Sequence, residues 1–287
     1  MTGLEPICYD VNKRLGYSVG FNGSLTNSLI GHTDVPCLQI CYGNYNEGFI
    51  NENLSQYSNM HLYLHSTVRT NIANMSSDYI VSSSIKHVRS LANYSSLHHS
   101  SVILHYGCSK DVSGTNTNHL NKVLDSLDQI TRTLKPTNGH YPILLENAAG
   151  EGTEVGVTVE EIRYVLERCD NTKIGMCLDT CHAFSAGYHV DQVEQLTLLL
   201  EELEAITPRH LRMIHLNDSK HPFHSRKDRH ENIGQGYVWS GDKSSLDYLM
   251  QYGAEMNLDF ILETPNQESD LIYMRKNHMQ LRRKLKR

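Results

Sequence analysis

The sequence predicts an α/β protein folded as a single-domain TIM (β/α)8 barrel. Eight short runs of β-branched and other apolar residues recur along the 287 residues. The segments between them place apolar residues at three- and four-residue intervals, which is the periodicity of a helix with one buried stripe. Strands that alternate with helices are typical of a parallel sheet, and barrels of this kind commonly occupy about 250 residues as one domain.

The eight predicted strands are distributed along the whole chain, with helical segments between them. A closed barrel leaves no strand edge exposed, whereas the alternative architecture, a doubly wound open sheet, leaves two. We therefore favour the barrel. The strands are Arg14–Gly20, Pro36–Gly43, His61–Ser66, Ser101–Gly107, Pro142–Asn147, Ile174–Thr180, Leu211–Asp218 and Asp259–Pro265.

Five segments between these strands are predicted to be helical. Three of them show the apolar stripe within residues 80–91, 120–130 and 159–166, and the other two are Val193–Ile206 and Leu246–Met256. Thr158 and Glu161 have the spacing of a capping box, so we expect a helix to begin there.

Composition changes only at the C-terminal end. We predict a barrel domain over residues 1–270 and a basic tail over 271–287, whose last 13 residues read RKNHMQLRRKLKR. Basic tails contact DNA, serve as nuclear-type addresses or remain solvated ends. The sequence leaves these three roles open.

Composition also limits where the protein acts. There is no run of roughly 20 apolar residues and no basic-then-apolar N-terminus, so we expect a soluble protein that neither spans a membrane nor carries a standard secretion signal. Seven cysteines without a CxxC pair indicate a reducing compartment, cytoplasm or nucleus. The net charge of −6 argues against indiscriminate nucleic-acid binding, which needs a positive surface.

Six consecutive predicted strands end on a residue that can bind a metal ion. Strand C-termini open on one face of such a barrel, where active sites lie, and buried carboxylates or imidazoles are costly unless paired or coordinated. We therefore expect these side chains to converge. They are His65, His105, Glu146, Asp179, His215 and Glu263.

The stretch Leu211–Gly236 combines metal-ligand and phosphate-binding residue types. Its polar loop holds Asp228 and His230, and His182 follows Asp179 by three residues. Imidazole and carboxylate ligands suit a borderline divalent ion such as zinc. Arginine and lysine suit a phosphate group, and this loop carries Lys220, Arg226, Lys227 and Arg229.

The chain resembles the endonuclease IV family of zinc-dependent apurinic/apyrimidinic (AP) endonucleases. The similarity runs from about Gly16 to Glu263 and is weaker in the first third. Four spaced motifs carry it: LLENAAGEGTEVG, GMCLDTCHAFSAGY, HLNDSK with SRKDRHENIGQG, and ILETP. His65 is placed by the run Asn71-Ile72-Ala73 that follows it.

The resemblance implies three zinc ions per chain on the barrel. His65 and His105 would hold one ion, and Glu146 would bridge it to a second ion held by Asp179, His215 and Glu263. The third ion would be held by His182, Asp228 and His230. Glu146 and Glu263 are the expected catalytic carboxylates.

The implied activity belongs to base-excision repair. The expected reaction is hydrolysis of the phosphodiester 5′ to an abasic site, leaving a 3′-hydroxyl, together with removal of blocking groups from 3′-ends. Four carboxylates against three divalent ions leave a formal charge of +2, which attracts a backbone phosphate. The expected partner is double-stranded DNA with abasic sites or blocked 3′-ends, and we expect a monomer.

Two positions depart from the family pattern where the family probes DNA. Asn46 stands in place of an arginine after the second strand, and Val68, with Arg69 next to it, stands in place of a tyrosine. Tyr106 occupies the place of a proline after His105. We assign Arg229 to phosphate binding and count Lys220, Arg226, Lys227, Arg69 and Asn46 as further DNA-binding candidates.

Two other functions remain open from the sequence. A metal-dependent sugar or sugar-phosphate isomerase or epimerase on a related barrel also uses His, Asp and Glu at strand ends. A binding protein that retains lesion affinity without turnover is the non-enzymatic alternative. Assays of ketose interconversion and of abasic-DNA cleavage separate the three.

Overall fold

A computed structural model of the chain describes residues 14–20, 35–41, 60–111, 118–135, 140–206 and 208–285. Each of the eight predicted runs contains a strand within this part of the chain. The barrel strands are β1 (Leu15–Gly20), β2 (Cys37–Cys41), β3 (His61–His65), β4 (Ser101–His105), β5 (Ile143–Glu146), β6 (Ile174–Asp179), β7 (Leu211–His215) and β10 (Asp259–Leu262).

These eight strands close into a parallel barrel, which confirms the predicted fold. Their order around the barrel is β1-β10-β7-β6-β5-β4-β3-β2, and every neighbouring pair is parallel. Closure satisfies the backbone hydrogen bonds that an open sheet would leave at its two edges. The doubly wound alternative is excluded.

The five predicted helices are present in the described residues. They are α1 (Asp78–His98), α2 (Asn118–Thr131), α3 (Val159–Leu166), α5 (Val193–Ile206) and α6 (Ser244–Met256). Two further helices, α4 (Thr180–Ala186) and α7 (Gln267–Leu285), and a short antiparallel hairpin of β8 (Asp218–Ser219) with β9 (His230–Glu231) were not predicted.

The cap of α3 differs in part from the predicted capping box. The Thr158 side chain accepts a hydrogen bond from the Glu161 backbone N–H, as expected. The Glu161 carboxylate reaches further back, however, and accepts from the N–H groups of Gly156 and Val157 at 3.0 and 2.9 Å. It thereby fixes the loop that leads from β5 into the helix.

Two apolar layers hold the barrel together. The larger layer lies between the strands and the surrounding helices. The smaller one fills the barrel interior below the strand ends, where Cys37 and Cys177 are fully buried and pack as small apolar residues. The interior layer is formed by Cys37, Tyr63, Ile103, Leu144, Cys177, Met213 and Ile261.

The C-terminal helix begins before the predicted tail. α7 starts at Gln267 and packs against β1 and β10, with Leu271 and Met274 buried. The change in composition therefore does not coincide with the start of an element. The division of the chain at residue 270 stays a prediction.

Within the described residues, no helix combines the length and the hydropathy that crossing a bilayer requires.

Candidate metal centre

Parallel pairing brings the predicted ligands to one mouth of the barrel. His65, His105, Glu146, Asp179 and His215 are each the last residue of their strand, and Glu263 directly follows β10. The register pairs His105 with Glu146 and Asp179 with His215 across neighbouring strands. Residues far apart in the sequence thus share one rim because every strand runs in the same direction.

A first group of donors surrounds one oxygen of Glu146. Its Oε2 atom lies 3.2 Å from Nε2 of His65 and 3.4 Å from Nε2 of His105. Glu146 is fully buried. These three ligand atoms lie within 4.8 Å of one another, close enough to hold a single ion.

A second group shares Glu146 through its other oxygen. Nδ1 of His215 lies 2.9 Å from Oε1 of Glu146, 3.3 Å from Oε2 of Glu263 and 3.8 Å from Oδ2 of Asp179. These four residues also place one ligand atom each within 4.8 Å of the others. Glu146 thus stands between the two groups, as the family resemblance implied.

The third group lies beside the second. Oδ1 of Asp228 is 3.1 Å from Nε2 of His182 and 3.2 Å from Nε2 of His230. Asp179 also belongs here, because its Oδ2 lies 3.7 Å from Nε2 of His230. Sequence reasoning had placed Asp179 only in the second group.

Cys181 is a residue at this site that sequence reasoning missed. Its sulfur lies within 4.8 Å of donor atoms of Asp228 and His230. Burial raises the pKa of Cys181 to about 12. Because metals bind the thiolate rather than the thiol, Cys181 would coordinate an ion only by releasing its proton.

Asp179 positions His182 through a helix cap. It is both the last residue of β6 and the N-cap of α4, and its Oδ1 accepts the His182 backbone N–H at 2.8 Å. The other carboxylate oxygen remains directed toward the rim. α4 ends at Gly187, whose φ of 109° is a left-handed conformation that an L side chain rarely adopts.

The β8–β9 hairpin carries Asp228 and His230 to the rim. The Asp218 carboxylate organises its far end by accepting the N–H groups of Ser219, Gly234, Gly236 and Val238 at 2.8 to 3.2 Å. Gly236 must be glycine here, because a Cβ atom would lie 2.4 Å from the Ser219 carbonyl oxygen. The sequence GQG therefore closes the loop tightly against the hairpin.

Backbone carbonyls orient three of the histidines. The Nδ1–H groups of His65, His182 and His230 donate to the carbonyls of Ser66, Asn147 and Glu263 at 2.8, 2.9 and 3.3 Å. Each ring then directs Nε2 toward the carboxylates. Metal-binding histidines usually have this arrangement, because the second hydrogen bond fixes the tautomer.

Three buried amides complete the supporting shell, and sequence reasoning missed all three. Oε1 of Gln39 accepts Nε2–H of His215 at 2.8 Å, and its Nε2 donates to Oε1 of Glu263 at 2.6 Å. Asn217 donates to Oδ2 of Asp179 at 2.7 Å and accepts the Glu263 N–H at 2.9 Å. Asn147 accepts the Asp179 N–H at 2.7 Å. Asn147 and Asn217 could have been found from the sequence, because they lie in the motifs that match the family. Gln39 had no such signal, because it lies in no matched motif and does not end a strand.

The electrostatics of the rim favour positive charge between the carboxylates. Burial alone would raise the pKa of Glu146 and lower that of His65. The nearby histidines nevertheless hold the pKa of Glu146 well below its ordinary value, and Glu146 and Glu263 raise the pKa of His65 to about 10. His105 differs, because burial outweighs the attraction of Glu146 and lowers its pKa.

The residues present fit a set of bound cations. Four carboxylates and five imidazoles converge, and this donor set suits zinc. Nε2 of His182 and Nε2 of His230 are buried and make no hydrogen bond, although both lie close to Asp228. Buried polar atoms without a partner are costly, and coordination would satisfy them.

The basic candidates lie around this rim or on its loops. Lys220, Arg226, Lys227 and Arg229 are exposed on the hairpin loop, and Arg69 is exposed on the β3–α1 loop beside Val68, whose side chain is 94% exposed. Tyr106 is 1% exposed and packs against Gly156, so it belongs to the core. Asn46 lies outside the described residues.

Comparison with known proteins places this geometry in a family. Residues 50–283 match the xylose isomerase-like TIM barrel family, and the chain belongs to that family. Curated relatives named "Probable endonuclease 4" are similar to one half of the chain. The Akkermansia muciniphila protein is 43% identical over 50% of this chain and 50% of its own length. The Clostridium botulinum protein is 46% identical over 44% of each. The chain therefore spans about half the length of the curated relatives it matches.

Solved structures show the same fold over nearly the whole chain. Endonuclease IV from Thermus thermophilus has a TM-score of 0.72 at 21% identity, covering 93% of this chain and 99% of that one. A D-tagatose 3-epimerase-like protein has a TM-score of 0.71 at 19% identity, covering 93% and 97%. Since a nuclease and an epimerase-like protein share the barrel equally well, the fold alone does not decide the activity.

Proposed function

We propose that the protein is a zinc-dependent AP endonuclease of base-excision repair. It would hydrolyse the phosphodiester 5′ to an abasic site, leave a 3′-hydroxyl and clear blocked 3′-ends. The observation that carries the proposal is the convergence of nine nitrogen- or oxygen-donating side chains on one rim, in overlapping groups of three or four. The sequence similarity to proteins named endonuclease 4 supports it over half of the chain.

Each group of donors has a place in this proposal. His65, His105 and Glu146 would hold one zinc ion, and Glu146 would bridge it to a second ion held with Asp179, His215 and Glu263. The third ion would be held by His182, Asp228 and His230, since the Asp228 carboxylate lies 3.1 and 3.2 Å from the two rings, and Asp179 groups with both histidines. When bound, such ions supply Lewis-acid chemistry, which acidifies water and neutralises charge on a phosphate.

The protein's own residues provide orientation and charge. Glu146 and Glu263 are the proposed catalytic carboxylates, and Gln39 and Asn217 hold Glu263 from two sides. In the described residues, the barrel interior beneath them is filled by buried side chains that are mainly apolar, so we expect a substrate to approach from the loop side. A phosphodiester would therefore meet the carboxylate rim and the basic hairpin loop together.

Binding of the DNA backbone falls to the exposed cations. Arg229 lies between the proposed ligands Asp228 and His230 in the sequence and is exposed, so we assign its guanidinium to a phosphate at the centre. Lys220, Arg226, Lys227 and Arg69 would contact neighbouring phosphates, and Asn46 is a further candidate. We propose double-stranded DNA as the partner and a monomer as the working form. Phosphate contacts of this kind position a duplex without reading its sequence.

An epimerase is the enzymatic alternative because of the shared fold. Such enzymes act on small sugars and have no need for a basic loop beside the metal centre. Ketose interconversion without DNA cleavage would favour the epimerase. Binding of abasic DNA without cleavage, in buffer replete with zinc, would favour a binding protein.

The direct test measures metal content and DNA incision on the same preparation. Protein purified without added metal should contain close to three zinc ions per chain. It should cut a duplex with a single abasic site on the 5′ side and leave a 3′-hydroxyl. A protein with one ion, or with no incision of this duplex, contradicts the proposal.

Glu263→Gln is the matching variant. It keeps the shape of the side chain but removes a charge from the rim, so incision should fall by at least about a thousandfold while the fold persists, as judged by circular dichroism. Glu268→Gln removes the same charge from an exposed position on α7 and should retain wild-type incision. Full activity of Glu263→Gln would exclude a catalytic role for this carboxylate.

A further inference from the structure

One acidic side chain faces the basic hairpin loop from across the rim. Glu151 lies on the loop between β5 and α3, and its Oε2 atom is 3.4 Å from Nη1 of Arg229. The same oxygen accepts the backbone N–H of Asp228 at 3.3 Å. Glu151 therefore contacts both a proposed metal ligand and the cation proposed to bind phosphate.

The loop that carries Glu151 is held in a defined conformation. The Glu154 carboxylate accepts the N–H groups of Gly150 and Glu151 at 2.9 and 2.8 Å. The aliphatic stem of Arg226 lies over Gly150, 3.5 Å from where a Cβ atom would be. Glu151 is thus presented to the opposite loop by a turn with its own hydrogen bonds.

The hairpin loop is fixed as firmly on its side. His224 and Arg226 have left-handed backbone conformations, with φ of 59° and 52°. Their N–H groups donate to the carbonyls of Phe184 and Ser185 at 3.1 and 3.0 Å, and the Ser185 hydroxyl donates to the Lys227 carbonyl at 2.9 Å. Non-glycine residues held in this region are associated with functional sites. Two ordered loops therefore bring the Glu151 carboxylate and the Arg229 guanidinium together.

A carboxylate and a phosphate compete for the same face of a guanidinium. A carboxylate is planar and a phosphate is tetrahedral, but each presents two oxygen atoms that can accept paired N–H donors from arginine. Nη1 of Arg229 faces Glu151 and also donates to the Asp228 carbonyl, so Arg229 cannot give this nitrogen fully to DNA while these contacts persist. Once Arg229 turns to a phosphate, Glu151 is left as an uncompensated negative charge beside the DNA backbone.

We propose that Glu151 is a counter-charge that occupies Arg229 in the free protein and is displaced by a DNA phosphate. Glu151 is then a positioning residue that keeps Arg229 beside the metal centre and lowers the affinity for DNA. The inference rests on the proposed function, since it requires that Arg229 binds a phosphate. It concerns the strength of DNA binding rather than hydrolysis.

Glu151→Gln isolates the charge from the hydrogen bond. The glutamine oxygen can still accept the Asp228 N–H, so the ligand loop keeps its support and zinc per chain should stay at the wild-type value. The probe is a nicked duplex with the 3′-hydroxyl and 5′-tetrahydrofuran-phosphate ends of the expected product, which cannot be cut during the measurement. Glu151→Gln should lower its Kd about two- to fivefold at about 50 mM salt, the size of an exposed ion pair.

Salt and a second variant identify the route of the effect. The gain should shrink as salt rises to about 200 mM, because exposed charges are screened. In the Arg229→Ala background, Glu151→Gln should lose most of its effect on Kd. Glu201→Gln, which removes the same charge from an exposed position on α5, should leave Kd unchanged.

The contrary results separate failure of the counter-charge role from failure of the proposed function. An unchanged or weaker affinity of Glu151→Gln, an equal gain in the Arg229→Ala background, or a loss of zinc from Glu151→Gln would overturn the counter-charge while leaving the nuclease proposal intact. If the unaltered protein neither binds the nicked duplex nor cuts abasic DNA, the proposed function fails and the counter-charge role fails with it.

Discussion

At the scale of single residues, four of the rim histidines use one ring nitrogen for a supporting hydrogen bond and direct the other toward the carboxylates. One nitrogen of His65, His182 and His230 is occupied by a backbone carbonyl, and one nitrogen of His215 is occupied by Gln39. The remaining nitrogen is left for the carboxylate groups. Such partners fix the ring before any ion binds, which reduces the conformational entropy that coordination must overcome.

Gln39→Leu tests this support. Leucine has a similar volume but cannot accept from His215 or donate to Glu263, so two members of the second donor group lose their orientation. We expect zinc affinity to fall about 10- to 100-fold, measured by competition with a chromophoric chelator. Gln251→Leu, on the exposed face of α6, should not change the affinity. An unaltered affinity for Gln39→Leu would mean that the amide does not orient these ligands.

At the scale of elements, the β8–β9 hairpin is the piece that completes the centre. Its strands are only two residues each, too short to be stable alone, and the loop between them contains two left-handed residues that are not glycine. Asp218 compensates by accepting five backbone N–H groups, including that of Trp239, at the far end of the hairpin. The position of Asp228 and His230 therefore depends on a carboxylate that is not itself a proposed ligand.

Asp218→Asn should loosen the hairpin. Both carboxylate oxygens of Asp218 accept hydrogen bonds, whereas asparagine has only one acceptor oxygen. Its amide N–H groups would face the backbone N–H groups of Gly234 and Gly236, which would then lose their acceptor. We expect a loss of about 2–3 kcal/mol in the free energy of unfolding, by urea denaturation, and fewer zinc ions per chain. Asp125→Asn on the exposed face of α2 serves as the control. A hairpin variant with wild-type stability and zinc content would show that the loop is held by other contacts.

The start of α3 offers a test that does not involve the centre. Thr158 accepts the Glu161 N–H at 3.3 Å as the N-cap, and this is the hydrogen bond that the sequence predicted. Thr158→Ala should lower the free energy of unfolding by about 1 kcal/mol, measured by chemical denaturation. Thr158→Ser, which keeps a hydroxyl, should recover most of the difference. Equal stability of the two variants would argue against the cap.

At the scale of the whole molecule, the barrel gathers four carboxylates at one mouth of a chain whose net charge is already −6. Three divalent cations would cancel that charge. The four exposed cations of the hairpin loop then give the same mouth a local positive surface. Under the proposed function, DNA binds at this mouth, because its backbone requires positive charge.

Removal of metal should therefore destabilise the entire fold. Six of the nine proposed ligands lie at the ends of six different barrel strands, and the other three lie on α4 and the hairpin. An ion that binds only the folded state stabilises it by about 2.7 kcal/mol at a hundredfold excess over its Kd. Dialysis against a chelator should lower Tm by at least about 5 °C, measured by scanning calorimetry, and zinc should restore it. Full recovery with magnesium alone would contradict a nitrogen-rich zinc centre.

Much of this architecture was readable from local patterns. Strand and helix periodicities depend on near neighbours, so the eight strands and five helices could be predicted, and with them the alignment of His65, His105, Glu146, Asp179, His215 and Glu263 at strand ends. The short helix α4 was missed because seven residues show too little periodicity. The hairpin was missed because its pairing joins residues that are eleven or more positions apart.

The sequence by itself determined the closed parallel barrel and the chemistry available at its mouth, because strand direction and residue type together fix which donors share a rim. Only the tertiary structure decided how those donors are grouped and supported. Gln39 lies 176 residues from His215, and Glu151 lies 78 residues from Arg229. Contacts of that range depend on loop paths and strand register around the whole barrel, which no local pattern specifies.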